Sequence, residues 1–256
     1  MTVKELFKIL LFLFLFTVIL APLTLVLTNK ENSSYMTGFI DKPKDSLDIL
    51  FVGSSKSYRI IYPLQLWNEQ GFVSYNLGSS SQDIPISYYV TKYGIEKQHP
   101  DLIVLEVGRA YLSEKSQSDA MLHQVWDNLD FNISEYECIK DVADNKEALF
   151  LPIIEYHSRW TDLEAKDFSY DKDNQKGTGT YSYVSRYHYP TIIDKSEKED
   201  LPAVSEEYLL KTIELCKSTN TDLLLVGTPS GYDNELDQKI YHSIQDIADN
   251  NNINFM

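Results

Sequence analysis

From residue 47 to 57 the chain reads LDILFVGSSKS, an apolar run that stops at a glycine and passes into hydroxyls and a helix-compatible stretch. Short apolar runs bounded by turn signals suit strands buried on both faces, and such strands belong to parallel sheets covered by helices. The pattern recurs at 73–77, at 102–107 (LIVLEV), at 222–226 (DLLLV) and at 253–255. Between the runs, segments 58–70, 84–97, 206–218 and 234–250 carry apolar residues at helical intervals, with Gly71 and His99-Pro100 as breakers. Strands alternating with helices predict an α/β three-layer sandwich around a parallel sheet. The alternation fails over 109–201, a stretch rich in aromatic and charged residues. At about 90 residues it is too long for a plain loop and reads as an insertion after the third strand.

Ahead of this body, 9–27 reads ILLFLFLFTVILAPLTLVL, without a charge. At about 1.5 Å per residue such a helix nearly spans the hydrocarbon of a bilayer. Lys4 and Lys8 precede it, which places the N-terminus on the cytoplasmic side. No small-x-small cleavage site follows and no nearby cysteine could carry a lipid, so an uncleaved signal anchor is expected. The expected organisation is a cytoplasmic tip and anchor at 1–30, a polar stalk at 31–46 and an α/β domain at 47–256 outside the cytoplasm.

A hydrophobic fraction of 43% excludes disorder, and a net charge of -15 excludes nucleic acid as a partner, because phosphate recognition needs a positive surface. Cys216 follows Leu209 and Ile213 at helical spacing and is expected as a small buried side chain; a bridge to Cys138 is left open by spacing alone. No CxxC or HExxH spacing occurs, so neither a structural zinc site nor any cofactor is implied.

Ligands of parallel α/β sheets bind beyond the carboxyl ends of the strands. Those ends carry Gly53-Ser54-Ser55-Lys56-Ser57, then Asn76-Leu77-Gly78-Ser79-Ser80-Ser81-Gln82, then Glu106-Val107-Gly108-Arg109, and Gly227-Thr228-Pro229-Ser230. A serine there acts as a nucleophile when a base takes its proton and N–H groups receive the oxyanion. The same residues also serve as plain turn and capping residues.

The order strand–GSS–helix, then Asn76-Leu77-Gly78, then the LIVLEV strand resembles the SGNH or GDSL hydrolase superfamily. The nearer resemblance is to its membrane-anchored bacterial branch, which includes the D-alanyl-transfer protein of teichoic acid modification and the alginate-type O-acetyltransferases. Tyr156-His157-Ser158-Arg159-Trp160 and 223–230 also resemble parts of such proteins. The resemblance spans roughly 48–256 and implies a flavodoxin-like SGNH fold with Ser55 as nucleophile. It implies the N–H groups of Ser55, Gly78 and Ser81 as oxyanion donors. The usual Asn of the third block is missing; Arg109 nearby is expected either to bind an anionic substrate or to pair with Glu106. His157 is expected either to reach substrate or to pack the insertion on the sheet.

The resemblance also implies a D-x-x-H base after the fifth strand. The chain stops at Met256 as that strand begins, so a missing base, an incomplete C-terminus and marginal stability are expected. His242 and Asp246 are expected to form a surface i,i+4 pair. The function implied is a serine esterase or O-acyltransferase on a cell-envelope polysaccharide or teichoic-acid-like polymer, beside a membrane O-acyltransferase partner. The alternative is a catalytically inactive relative acting as a binding or accessory protein.

Overall fold

The computed structural model describes residues 1–28, 34–111, 119–168, 177–178, 191–228 and 234–256. After helices α1 (Val3–Leu27) and α2 (Ser34–Thr37) come β1 (Ile49–Val52), α3 (Ser55–Ile60), α4 (Pro63–Gln70), β2 (Ser74–Asn76), α5 (Ile84–Gln98) and β3 (Leu102–Glu106). The insertion contributes α6 (Asp119–Trp126), α7 (Ile133–Val142), α8 (Lys146–Phe150), α9 (Ile153–Tyr156) and 3-10 turns His157–Thr161 and Ala165–Phe168. The chain then forms α10 (Ala203–Ser218), β4 (Asp222–Val226), α11 (Glu235–Asn251) and β5 (Asn254–Phe255).

The strands form one parallel sheet in the order β2-β1-β3-β4-β5. This is the flavodoxin-like order, with its switch point between β1 and β3. The expected helix over 58–70 divides at Pro63, whose ring opens α4 while Tyr62 before it is extended.

Right-handed crossovers place α5, α10 and α11 on one face of the sheet and α3–α4 on the other. The first face holds the main core: Leu50, Val52, Ile103, Leu105, Leu223 and Leu225 meet Tyr93, Leu209, Ile213 and Ile244. On the second face Ile49, Phe51 and Val104 form a small cluster with Ile61 and Leu66, and Leu102, Leu224 and Val226 there are half-buried.

Segment 34–46 is not the expected free stalk. Met36 and Phe39 are fully buried, and Phe39 packs edge-on against Tyr75 and Tyr93 with ring centroids 5.3 and 5.6 Å apart. Two large side chains in the core tie this segment to the body. The insertion shares that core through Leu122, Val125, Trp126, Cys138 and Ile139. Its helix α7 lies along α5, joined by Tyr89 to Asp141 and Lys92 to Glu137. Cys138 and Cys216 are buried, free thiols, so no bridge joins them.

One carboxyl in the insertion is poorly placed. Glu135 Oε2 is buried with no hydrogen-bond partner among the described residues, and burial, aided by Asp127 and Asp130, pushes its carboxyl up to about 8. The folded state therefore holds a proton that the unfolded chain releases near the ordinary value of 4.5. Stability from this residue is lost as pH rises from there through about 8. Glu135→Gln is expected to stabilise the chain at pH 8 by ~1–3 kcal/mol and to leave it unchanged near pH 4. Urea titrations at both pH values check this; an equal effect at both would show that the residue does not titrate with folding.

Candidate functional site

Gly53 ends β1 in a conformation suited to glycine, with φ 142°. It lies against β3 so closely that a Cβ would stand 2.7 Å from Glu106 Cβ and 2.8 Å from Glu106 O. Ser54 then caps α3, its hydroxyl accepting the Lys56 N–H at 3.2 Å. Beside it, the second turn comes up against the first. Leu77 N–H donates to Phe51 O at 2.8 Å and Ser79 N–H to Gly53 O at 3.1 Å.

Glu106, at the end of β3, is the hub of this rim. It is 2% exposed, and its Oε2 accepts from the Ser54 hydroxyl at 2.6 Å and the Ser54 N–H at 3.1 Å. Its Oε1 accepts from Gly108 N–H at 2.7 Å and the Thr228 hydroxyl at 3.1 Å. One carboxylate thus joins the ends of β1, β3 and β4, and four donors satisfy it without a cation in that set. Lys56 adds a further tie from the first turn, donating to Thr228 O at 3.1 Å and reaching the Tyr241 hydroxyl at 3.4 Å.

Asn76 organises the neighbouring turn. Its Oδ1 accepts from the Ser57 hydroxyl at 3.1 Å and from Gly78 N–H at 2.9 Å, while its buried Nδ2 has no partner among the described residues. The insertion returns here: Gly177, φ 81°, presses on the Asn76 carbonyl so tightly that a Cβ would stand 2.0 Å from its oxygen.

Among the serines of the first turn, Ser54 and Ser57 are buried with committed hydroxyls. Ser55 differs. It is half-buried at the first position of α3, and neither its hydroxyl nor its N–H has a partner among the described residues. Gly78, by contrast, has its N–H engaged by Asn76. Ser81 is half-buried in the left-handed region with φ 55°, and its N–H is unpartnered among the described residues.

Arg109 does not pair with Glu106. Its guanidinium donates to the Tyr111 hydroxyl and lies 5.8 Å from that ring's centroid, because the Glu106 oxygens are already taken. His157 is exposed on the first 3-10 turn, its Nδ1 bonded to Ile154 O at 2.8 Å, in a segment packed against α1. The expected His242–Asp246 pair is replaced: His242 Nδ1 donates to Glu197 O at 2.7 Å and Asp246 pairs with Lys198. His99 pairs with Asp45 and His123 with Asp127. His188 and Pro229-Ser230 lie outside the described residues.

Sequence reasoning missed Glu106, Thr228 and Asn76 as the framework of the rim. The signal for the first was a lone carboxylate closing the apolar run LIVLEV.

No family model matches the chain, and no curated protein matches it either. Among solved structures, a protein from Bacteroides fragilis whose given name proposes an acylhydrolase aligns with 89% of this chain and 76% of its own, at 12% sequence identity and a TM-score of 0.38. At that identity and score the likeness assigns neither a family nor an activity to this chain.

Proposed function

We propose that this chain is a membrane-anchored serine esterase or O-acyltransferase of SGNH type, acting outside the cytoplasm on a cell-envelope polysaccharide or teichoic-acid-like polymer. One observation carries the reading: of the three hydroxyls in the first turn, only that of Ser55 is left uncommitted among the described residues, and it stands at the strand ends where α/β sheets bind ligands. Ser55 Oγ attacks the acyl carbonyl as a base from outside the described histidine contacts takes its proton, and the N–H groups of Ser55 and Ser81 receive the oxyanion. Collapse expels the ester alcohol with that proton, and water or an acceptor hydroxyl then takes the acyl group from Ser55. Gly78 joins them if substrate displaces the Asn76 side chain from its N–H. Glu106 positions the turn through Ser54 and touches no substrate. Helix α1 is long and apolar enough to cross a bilayer, which suits a polymeric or lipid-linked acyl acceptor and a membrane acyl-carrier partner.

A second reading has its own observation. Each described histidine bonds elsewhere, to Asp45, Asp127, Ile154 O or Glu197 O, so the proton of Ser55 needs a base from outside these contacts. Without one, the crevice is a glycan-binding or accessory surface.

A fluorophosphonate probe on the detergent-solubilised chain separates the two. The expected adduct is located on Ser55 by peptide mass spectrometry and is lost in Ser55→Ala, with ester turnover falling by at least about 10³-fold. A folded chain that takes no adduct, or whose turnover survives Ser55→Ala, rejects the catalytic reading. Polymer binding without turnover would then support the second.

A further inference from the structure

The insertion bears several exposed apolar side chains that the catalytic reading does not use. Leu151 and Ile154 are exposed around α9, Phe150 ends α8, and Trp160 and Phe168 stand on the two 3-10 turns at 70% and 69% exposure. Tyr136 extends the patch from α7, its ring 5.6 Å from that of Phe150. Patches of this kind mark interaction sites.

Its position names the occupant. Arg159 donates through Nη1 to the carbonyl of Leu27, the last residue of α1. Through Nη2 it donates at 2.9 Å to Asp167, which is 1% exposed and also accepts the Glu164 N–H at 2.8 Å. The other end of the segment is fixed as well: the Tyr156 hydroxyl donates to Asp127 at 2.8 Å, and the same carboxylate pairs with His123 on α6. Segment α8 to Phe168 is thus a bracket between the body and the end of the apolar helix. At the end of α1, Leu27 is buried and Thr24 and Val26 are half-buried where the helix meets α9 and the two 3-10 turns, while most of the helix, Leu25 included, is bare.

We propose that this bracket is a collar lying on the lipid surface around the point where α1 leaves the bilayer. The proposal rests on the reading that α1 spans. If it does, Leu27 is at headgroup depth, and Trp160, next in sequence to the residue bonded to Leu27, lies at the same depth. Trp and Tyr favour that level because an apolar ring body and a polar N–H or O–H match the interface. A chain of net charge -15 is repelled by anionic headgroups, so contact depends on aromatic and aliphatic insertion. Docking is therefore insensitive to salt and needs no anionic lipid.

The test uses the full chain reconstituted in phosphatidylcholine vesicles whose acyl chains carry bromine either near the headgroup or near the chain end. The expected result is quenching of tryptophan emission by shallow bromine more than by deep bromine. It should persist at high salt and be lost in Trp160→Phe, a change at an exposed position that leaves folding intact. Alkaline carbonate extraction of the same vesicles reports on α1 separately. Retained protein with Trp160-independent or absent quenching overturns the collar while α1 still spans. Stronger quenching by deep bromine also overturns it, since the residue would then lie in hydrocarbon. Release by carbonate removes the spanning reading and the collar with it, leaving the Ser55 result untouched.

Discussion

Glu106→Ala is expected to lower the melting temperature of the full chain by about 10 °C or more. The carboxylate is buried and accepts four hydrogen bonds, two from backbone N–H groups and two from hydroxyls. The hydroxyls of Ser54 and Thr228 can rotate toward other acceptors, but the N–H groups of Ser54 and Gly108 cannot. Two orphaned buried N–H groups, each costing about 1–3 kcal/mol, dominate the loss, and the vacated side-chain volume adds to it, giving ~3–5 kcal/mol. A buried carboxylate is itself costly, and replacing a buried ion pair with apolar residues is often neutral. That relief does not operate here, because the donors stay behind. Thermal melts of wild type and variant decide the matter, and a melting temperature within about 3 °C of wild type would show that water or a neighbouring group satisfies the donors.

Gly53→Ala is expected to be nearly as damaging, by a different route. Its φ of 142° is strained for an alanine, and its Cβ would stand 2.7 Å from Glu106 Cβ and 2.8 Å from Glu106 O. Backbone strain of this kind costs about 1–3 kcal/mol, and the clash adds to it because neither side can yield. One side is β1, the other is β3, and the two are hydrogen-bonded neighbours from Ile49 through Val52. A loss of ~3 kcal/mol or more in urea unfolding is expected. The turn also moves, so probe labelling of Ser55 falls even in the fraction that folds. Full stability with reduced labelling would mean that the strands separate easily and the turn alone responds.

The alternating runs made the sheet legible, because β1, β3 and β4 at its centre are apolar segments and the crossovers carry a helical period. The turn after β1 was equally legible as a local pattern of glycine and hydroxyls. Which serine is free was not. Ser54 and Ser55 are adjacent and chemically identical, and they are told apart only by partners that arrive from 52 residues away at Glu106. The His242–Asp246 expectation failed for a related reason. Helical spacing permits the pair, but 197–199 lies along the helix and offers a carbonyl and a lysine instead.

The joint at Glu106 also dictates when the site can form during synthesis. It links Ser54 across 52 residues and Thr228 across 122, so the local cap on the Lys56 N–H is completed only by distant partners. Contacts of such separation form late, after loop closure has been overcome. At about 5–20 residues per second, Thr228 emerges some 10–35 s after Ser54. Until then the Ser55 turn lacks its third support. A φ-value near zero for Glu106→Gln would be the kinetic signature of that delay, and a value near one would place the joint in the folding nucleus. The turn that bears Ser55 is among the first parts of the α/β body to be made and among the last to be set.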